Sequence, residues 1–196
     1  MIINIQIIFY LFLIEKIKLI YRLIKMSIWE KYDKKELIGT GTYGNIFKAK
    51  NKEKGNYVAI KEIPKKKSNN KLLNEIEIMS KIKNENCISL KETFDTNDFF
   101  YIVTELCICN LEEYIKMRDT GLSINEIKHI LIQINNTLKL TLKENLIHRD
   151  LKPSNILISL NKIDNCLFKL SDYGSSKEMS NTMSYAGTSL TIAPEF

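Results

Sequence analysis

Residues 145–158 read NLIHRDLKPSNILI, and the fold turns on what that stretch is for. Histidine, arginine, aspartate, lysine and asparagine crowd the middle of it, between a long helical pattern and the apolar run Ile156–Ile158. The helical pattern opens on SINE, residues 123–126, a capping box in which Ser123 and Glu126 satisfy each other's backbone donors. Ile127, Leu131, Ile134 and Leu138 keep its apolar period, and His129 falls on or beside the exposed flank, with no role. Downstream, CLFKLSDYGSSK (166–177) predicts a strand running into Asp172-Tyr173-Gly174. Polar residues so placed form either a salt-bridged loop or a site. The rest of the chain decides.

Glycine is scarce, seven in 196 residues, so each placement carries information. Gly39, Gly41 and Gly44 fall in LIGTGTYGNIFKAK (37–50), and NKEKGNYVAIKEI (51–63) follows as a turn and a third strand. The G-x-G-x-x-G pattern here precedes a strand, which argues against a dinucleotide fold, where its last glycine opens a helix. A glycine hairpin can lie over phosphates, although alone it is also an ordinary β-turn. VAIK (58–61) then puts Lys61 and Ala59 on one strand face, with Val58 and Ile60 on the other. Such a lysine can reach a nucleotide's phosphates while Ala59 leaves room for a flat base. A buried ammonium needs a carboxylate. The segment NNKLLNEIEIMSKI (69–82) predicts an asparagine-capped helix with Leu72, Ile76, Met79 and Ile82 on one face. Glu75 lies within that face and is expected to pair with Lys61; Glu77 points to solvent.

Together these segments resemble the eukaryotic protein kinases. The resemblance runs from about Tyr32 to Glu195 and comprises the glycine loop, the VAIK lysine, the helix glutamate, HRDLKPSN, a DYG in place of the usual DFG, and a GT-to-APE segment. It implies an α+β, bilobal protein-kinase-like fold, with a β-rich small lobe over 32–104 and an incomplete, mainly helical large lobe over 105–196. The lysine of HRDLKPSN resembles the serine/threonine class.

The chemistry so implied is transfer of a phosphoryl group from ATP, with Mg²⁺, to a serine or threonine hydroxyl of a protein substrate. Ile38, Gly39, Thr40, Gly41, Thr42, Tyr43 and Gly44 would cover the phosphates, and Lys61, held by Glu75, would clamp two of them. Asn155 and Asp172 would hold Mg²⁺ through oxygen. Asp150 would accept the hydroxyl proton and Lys152 would neutralise the γ-phosphate. FFYIVTELCICNL (99–111) aligns with the fifth strand and hinge: Thr104 takes the gatekeeper position, and Glu105 and Cys107 offer backbone groups to adenine. Ile46, Ala59 and Leu157 would sandwich the base. Leu90, Met79, His148 and Tyr173 would stack as an internal column, where the Tyr173 hydroxyl needs a partner or water. Arg149 would dock a phosphorylated activation loop, with Ser180, Thr182 and Ser184 as candidate sites. Thr188 would bond to Asp150 and Lys152.

Three features depart from the family pattern. Thr191 stands where a tyrosine is usual, and LKLTLKENLIHRD (138–150) lacks the usual leucine-histidine before the loop. The family also carries several more helices after APE, including the arginine that pairs with the residue matching Glu195. The reading is therefore a serine/threonine kinase truncated after APE, whose apolar surface calls for a covering partner. Its alternatives are a catalytically impaired, nucleotide-binding pseudokinase or interaction module, and a nonfunctional kinase fragment.

Composition bounds the partners. The net charge of +6 comes from scattered lysines, and no aromatics interleave with Lys65–Lys67, so no nucleic-acid partner is expected. Four cysteines without zinc spacing fit reduced thiols in a cytoplasmic protein. Residues 2–14, IINIQIIFYLFLI, fall short of the ~20 apolar residues that span a bilayer. Residues 1–25 read as an apolar and basic extension, either a mis-predicted start ahead of Met26 or a membrane-associating helix. Membrane contact is expected only in the second case.

Overall fold

Alternation along extended strands gives the small lobe two faces, and each acquires its own cover. In the computed structural model, residues 12–16, 27–41, 44–67, 70–160 and 166–178 are described. A short helix α1 (Ile28–Lys31) leads into β1 (Tyr32–Gly41), β2 (Gly44–Asn51) and β3 (Tyr57–Pro64). Helix α2 (Asn70–Lys81), β4 (Leu90–Asp95) and β5 (Phe99–Glu105) follow. The five strands form one sheet in the order β1-β2-β3-β5-β4, every neighbour antiparallel. The β2–β3 turn is set locally. The Asn51 side-chain oxygen accepts from the amides of Glu53 and Lys54 at 3.0 and 2.9 Å, and Gly55 takes a φ of 73°.

One face of this sheet buries Ala49, Val58, Ile60, Tyr101 and Val103 with Ile28 and Tyr32. Among the described residues the small lobe therefore extends ahead of Tyr32 to include Ser27, whose hydroxyl caps α1 by accepting from the Trp29 amide. The opposite face turns Ile46, Ala59, Lys61, Ile102 and Thr104 toward a cleft.

Helix α2 buries Leu72, Glu75, Ile78 and Met79, with Ile82 buried just past its end; it leaves Ile76 half-buried and exposes Glu77, which pairs with Lys81 at 2.7 Å. The buried arc is wider than the expected stripe because α2 packs against both β4 and the 3-10 turn at Tyr173–Ser175.

Beyond the hinge come β6 (Cys109–Asn110), α3 (Leu111–Lys116), α4 (Ile124–Lys143), β7 (Leu146–Ile147), β8 (Ile156–Leu160), β9 (Cys166–Leu170) and β10 (Lys177–Glu178). They form a β6-β8-β9 sheet and a β10-β7 pair. Capping boxes open both helices, Asn110 with Glu113 and Ser123 with Glu126. The expected face of α4 is corrected: Ile127 and Leu131 are exposed, at 42% and 62%. Its buried face is Ile130, Ile134, Thr137 and Thr141. The cause is polar anchoring. The Thr137 hydroxyl donates to the Asn86 carbonyl at 2.9 Å, and the Gln133 side-chain oxygen accepts from Asn86 Nδ2 at 2.7 Å and the Phe168 amide at 2.9 Å. His129 is exposed, bonded to Gln133 and edge-on to Phe168.

Among the described residues, no helix is long and apolar enough to cross a membrane. The four cysteines are unpaired.

Candidate active site

A cleft of about 810 Å³ lies between the small-lobe sheet and the β8–β9 region. From the small lobe Ile38, Gly39, Thr40, Gly44, Ile46, Ala59, Lys61 and Glu75 line it; Thr104, Glu105 and Cys107 line it at the hinge. Lys152, Asn155, Leu157 and Asp172 close it from the large lobe. Gly41 ends β1 and pairs with Gly44 across the hairpin. Thr42 and Tyr43, like Ser180, Thr182, Ser184, Thr188, Thr191 and Glu195, lie outside the described residues. Gly44 is required sterically, because a Cβ there would sit 1.9 Å from the Glu62 carbonyl oxygen.

Lys61 Nζ lies 3.0 Å from each carboxylate oxygen of Glu75. Burial pushes the Glu75 carboxyl upward; the Lys61 charge pulls it back, and the nearby Asp172 charge adds to the rise. Gly174 stands between these acids: a Cβ there would be 3.4 Å from Asp172 Oδ1 and 3.7 Å from Glu75 Oε2. Lys61 thus lines the cleft with two carboxylates, its partner Glu75 from α2 and Asp172 from the strand end after β9.

The loop after β7 is tied together around Asp150, which is 8% exposed. Asn155 Nδ2 donates to the Asp150 carbonyl at 2.8 Å and to Oδ2 at 2.9 Å, and Lys152 Nζ lies 3.0 Å from Oδ2. With its amide nitrogen so engaged, Asn155 has its side-chain oxygen left to present. That oxygen and the Asp172 carboxylate are the hard donors that Mg²⁺ prefers, and both residues line the same cleft. Ser171 clamps the base of the loop, its amide and hydroxyl each donating to the Asn155 carbonyl at 2.9 Å. His148 Nε2 donates to the Ser171 carbonyl at 3.0 Å while Nδ1 accepts from the Asp150 amide at 3.3 Å. Those two contacts select the neutral Nε2–H tautomer. Burial lowers the imidazole's proton affinity further. Arg149 and Asp172 both hold left-handed backbone, φ 62° and 61°, strain that non-glycine residues adopt where surrounding structure dictates it. The Arg149 guanidinium donates through Nε to the Ser175 carbonyl at 2.8 Å.

Tyr173 is 1% exposed and meets His148 edge-on at 5.1 Å, within the core that holds Met79 and has Leu90 packed against it. Among the described residues the buried phenol has no hydrogen bond, although it faces the Cys87 thiol.

Lys169 was not anticipated. This lysine, 6% exposed, ion-pairs with Glu105 at 3.1 Å and donates to the Glu85 carbonyl at 2.7 Å. Glu105 also accepts from the Ser89 amide at 2.8 Å, and its own amide donates to the Ser89 carbonyl at 3.1 Å. Of the Glu105 backbone, the carbonyl is therefore what remains for a ligand. A lysine between Phe168 and Leu170 on an apolar strand is the signal that could have found it, since lysine is seldom buried without a partner.

The protein-family comparison matches a protein kinase domain over residues 32–196. The chain belongs to the protein kinase family. Over 176 residues it is 34% identical to the probable serine/threonine-protein kinase fhkC of Dictyostelium discoideum, covering 85% of this chain and 29% of that protein. It is 41% identical over 164 residues to calcium-dependent protein kinase 5 of Plasmodium berghei, covering 81% and 29%. With the serine/threonine-protein kinase TIO of Arabidopsis thaliana it shares 36% over 174 residues, 85% of this chain and 13% of that one. The chain thus spans under a third of the length of these relatives.

Proposed function

We propose that this chain carries the phosphotransfer centre of a serine/threonine protein kinase, moving the γ-phosphoryl of ATP to serine or threonine hydroxyls of a protein. The observation that carries the reading is a convergence: the Lys61–Glu75 pair, Asp172, and Lys152 and Asn155, from four separate segments, line one cleft, with Asp150 bonded to the last two.

In this reading Lys61, fixed by Glu75, binds phosphate oxygens beneath the hairpin of Gly39, Gly41 and Gly44, with Ile38, Thr40, Thr42 and Tyr43. Ile46, Ala59 and Leu157 enclose the base, Thr104 bounds the rear of the cleft, and the Glu105 carbonyl and Cys107 backbone meet the adenine edge. Asn155 and Asp172 hold Mg²⁺, which when bound neutralises phosphate charge. Asp150, aimed by Asn155, accepts the proton of the substrate hydroxyl, and Lys152 beside it offsets charge on the transferring group. Lys152 within HRDLKPSN supports the serine/threonine class, as do the names of the relatives. Arg149 serves as the dock for phosphate on Ser180, Thr182 or Ser184, and phosphopeptide mapping of active protein that finds all three bare would remove that part.

The test is transfer of label from γ-labelled ATP to a mixed peptide library. Wild type should label serine and threonine, and Asp150→Asn or Asp172→Asn should lose about 100-fold or more. Equal labelling by wild type and Asp172→Asn would sink the reading, and phosphotyrosine as the sole product would overturn the class.

A further inference from the structure

The cover on the far face of the small-lobe sheet comes from residues ahead of the family match, which begins at residue 32. Ile28 is 0% exposed, in one cluster with Val58, Ile60, Tyr101 and Val103. Trp29 sets its ring edge-on to Phe47 of β2 and Tyr101 of β5, with centroids 6.4 and 5.9 Å apart. Polar ties hold the segment in place. Lys52 Nζ donates to the Trp29 carbonyl at 2.7 Å, the Lys52 amide to the Lys31 carbonyl at 3.0 Å, and Lys31 pairs with Glu92 of β4 at 2.7 Å. Four strands of the sheet are thereby gripped from behind.

The strands so gripped are those that build the cleft. In β3, Val58 and Ile60 face the cap while their neighbours Ala59 and Lys61 face the cleft. Ile46 of β2 stands opposite Lys61, and Thr104 of β5 opposite Ala59, all four on the cleft side. A sheet this thin transmits displacement: moving Ile60 or Phe47 moves the residue next to it on the other face.

We infer that Ser27–Lys31 is a positioning element of the nucleotide site, holding β2, β3 and β5 at the spacing that aims Ala59, Lys61 and Thr104 into the cleft. The nucleotide part of this inference rests on the ATP reading above. It makes Trp29 and Ile28 positioning residues, since neither lines the cleft.

The experiment uses the full chain with three variants, Trp29→Ala, Trp29→Phe and Lys52→Ala. Two readouts are taken well below the melting temperature: affinity for a fluorescent ATP analogue with Mg²⁺, and hydrogen exchange of the residue 58–61 amides against those of α4. Trp29→Ala should weaken analogue binding about tenfold and speed exchange in residues 58–61 by a similar factor, α4 staying unchanged. Trp29→Phe, which keeps an aromatic edge, should stay within about twofold of wild type, and Lys52→Ala should fall between them. A folded Trp29→Ala that binds the analogue and exchanges like wild type overturns the inference. Should Trp29→Ala not fold, Lys52→Ala decides by the same readouts. A wild-type chain that binds no analogue counts against the ATP reading, while exchange in residues 58–61 still decides whether the cap braces β3.

Discussion

Lys61 meets both carboxylate oxygens of Glu75 at 3.0 Å, and Glu75 is 7% exposed. An acid so buried depends on its cation. Lys61→Met should cost about 3 kcal/mol, because it strands the carboxylate and drives it to take up a proton. The double variant Lys61→Met/Glu75→Leu should recover most of that loss, since an apolar pair of similar volume packs where the charges were. Neither should support phosphotransfer. Denaturant titration checks the stabilities, and a double variant no more stable than the single one would contradict the argument.

That pair was readable in the sequence because both halves depend on short-range periodicity, the twofold alternation of VAIK and the helical angle of Glu75. The junction at Lys169 was not, because Glu85, Ser89 and Glu105 reach it from segments far apart in the chain. The face of α4 misled for a different reason. Thr137 is fully buried because it bonds to the Asn86 carbonyl, whereas Ile127 and Leu131, which carry the apolar period, are exposed. An apolar count cannot see a buried threonine. The cap was missed because IWEK looks polar, although Ile28 is fully buried in the core and Trp29 packs against it.

The hydroxyl of Tyr173, which faces the Cys87 thiol and is otherwise unpartnered among the described residues, makes a stability prediction of unusual sign. A buried phenol that faces only a weakly hydrogen-bonding thiol recovers little of its desolvation cost, and removing the hydroxyl leaves the ring packing against His148 in place. Tyr173→Phe should therefore raise stability by about 1 kcal/mol, visible as a higher denaturation midpoint at unchanged slope. A lower midpoint would mean that the hydroxyl has a partner in solution.

Two glycines of one loop should behave differently. At Gly44 a methyl would lie 1.9 Å from the Glu62 carbonyl oxygen, where the β2–β3 ladder leaves no room to give. At Gly39 the nearest atoms to a Cβ belong to the Ile46 side chain, at 3.7 Å. Gly44→Ala should cost about 2 kcal/mol or more, and Gly39→Ala about 0.5 kcal/mol or less. Thermal melts of the two variants side by side check this, and equal losses would refute it.

His148 should give the protein an acid limb. The neutral ring is the folded form, with Nε2–H on the Ser171 carbonyl and Nδ1 accepting the Asp150 amide, so adding a proton removes one bond. Burial lowers its pKa below the ordinary 6.5; the Ser171 contact and the Asp172 and Asp150 charges oppose that, and Lys152 adds to it. Between the lowered folded value and 6.5 the unfolded chain binds more protons, so stability is full above 6.5 and falls as pH drops below it. Glu75 works in another window, its raised carboxyl adding stability below its ordinary 4.5 that is lost as pH rises. His148→Gln retains a donor for Ser171 and cannot charge. Stability curves of wild type and His148→Gln should run parallel above pH 6.5 and converge as pH falls below it, because only wild type loses stability by protonation there. Parallel curves throughout would show that His148 charges as readily in the fold as in the unfolded chain.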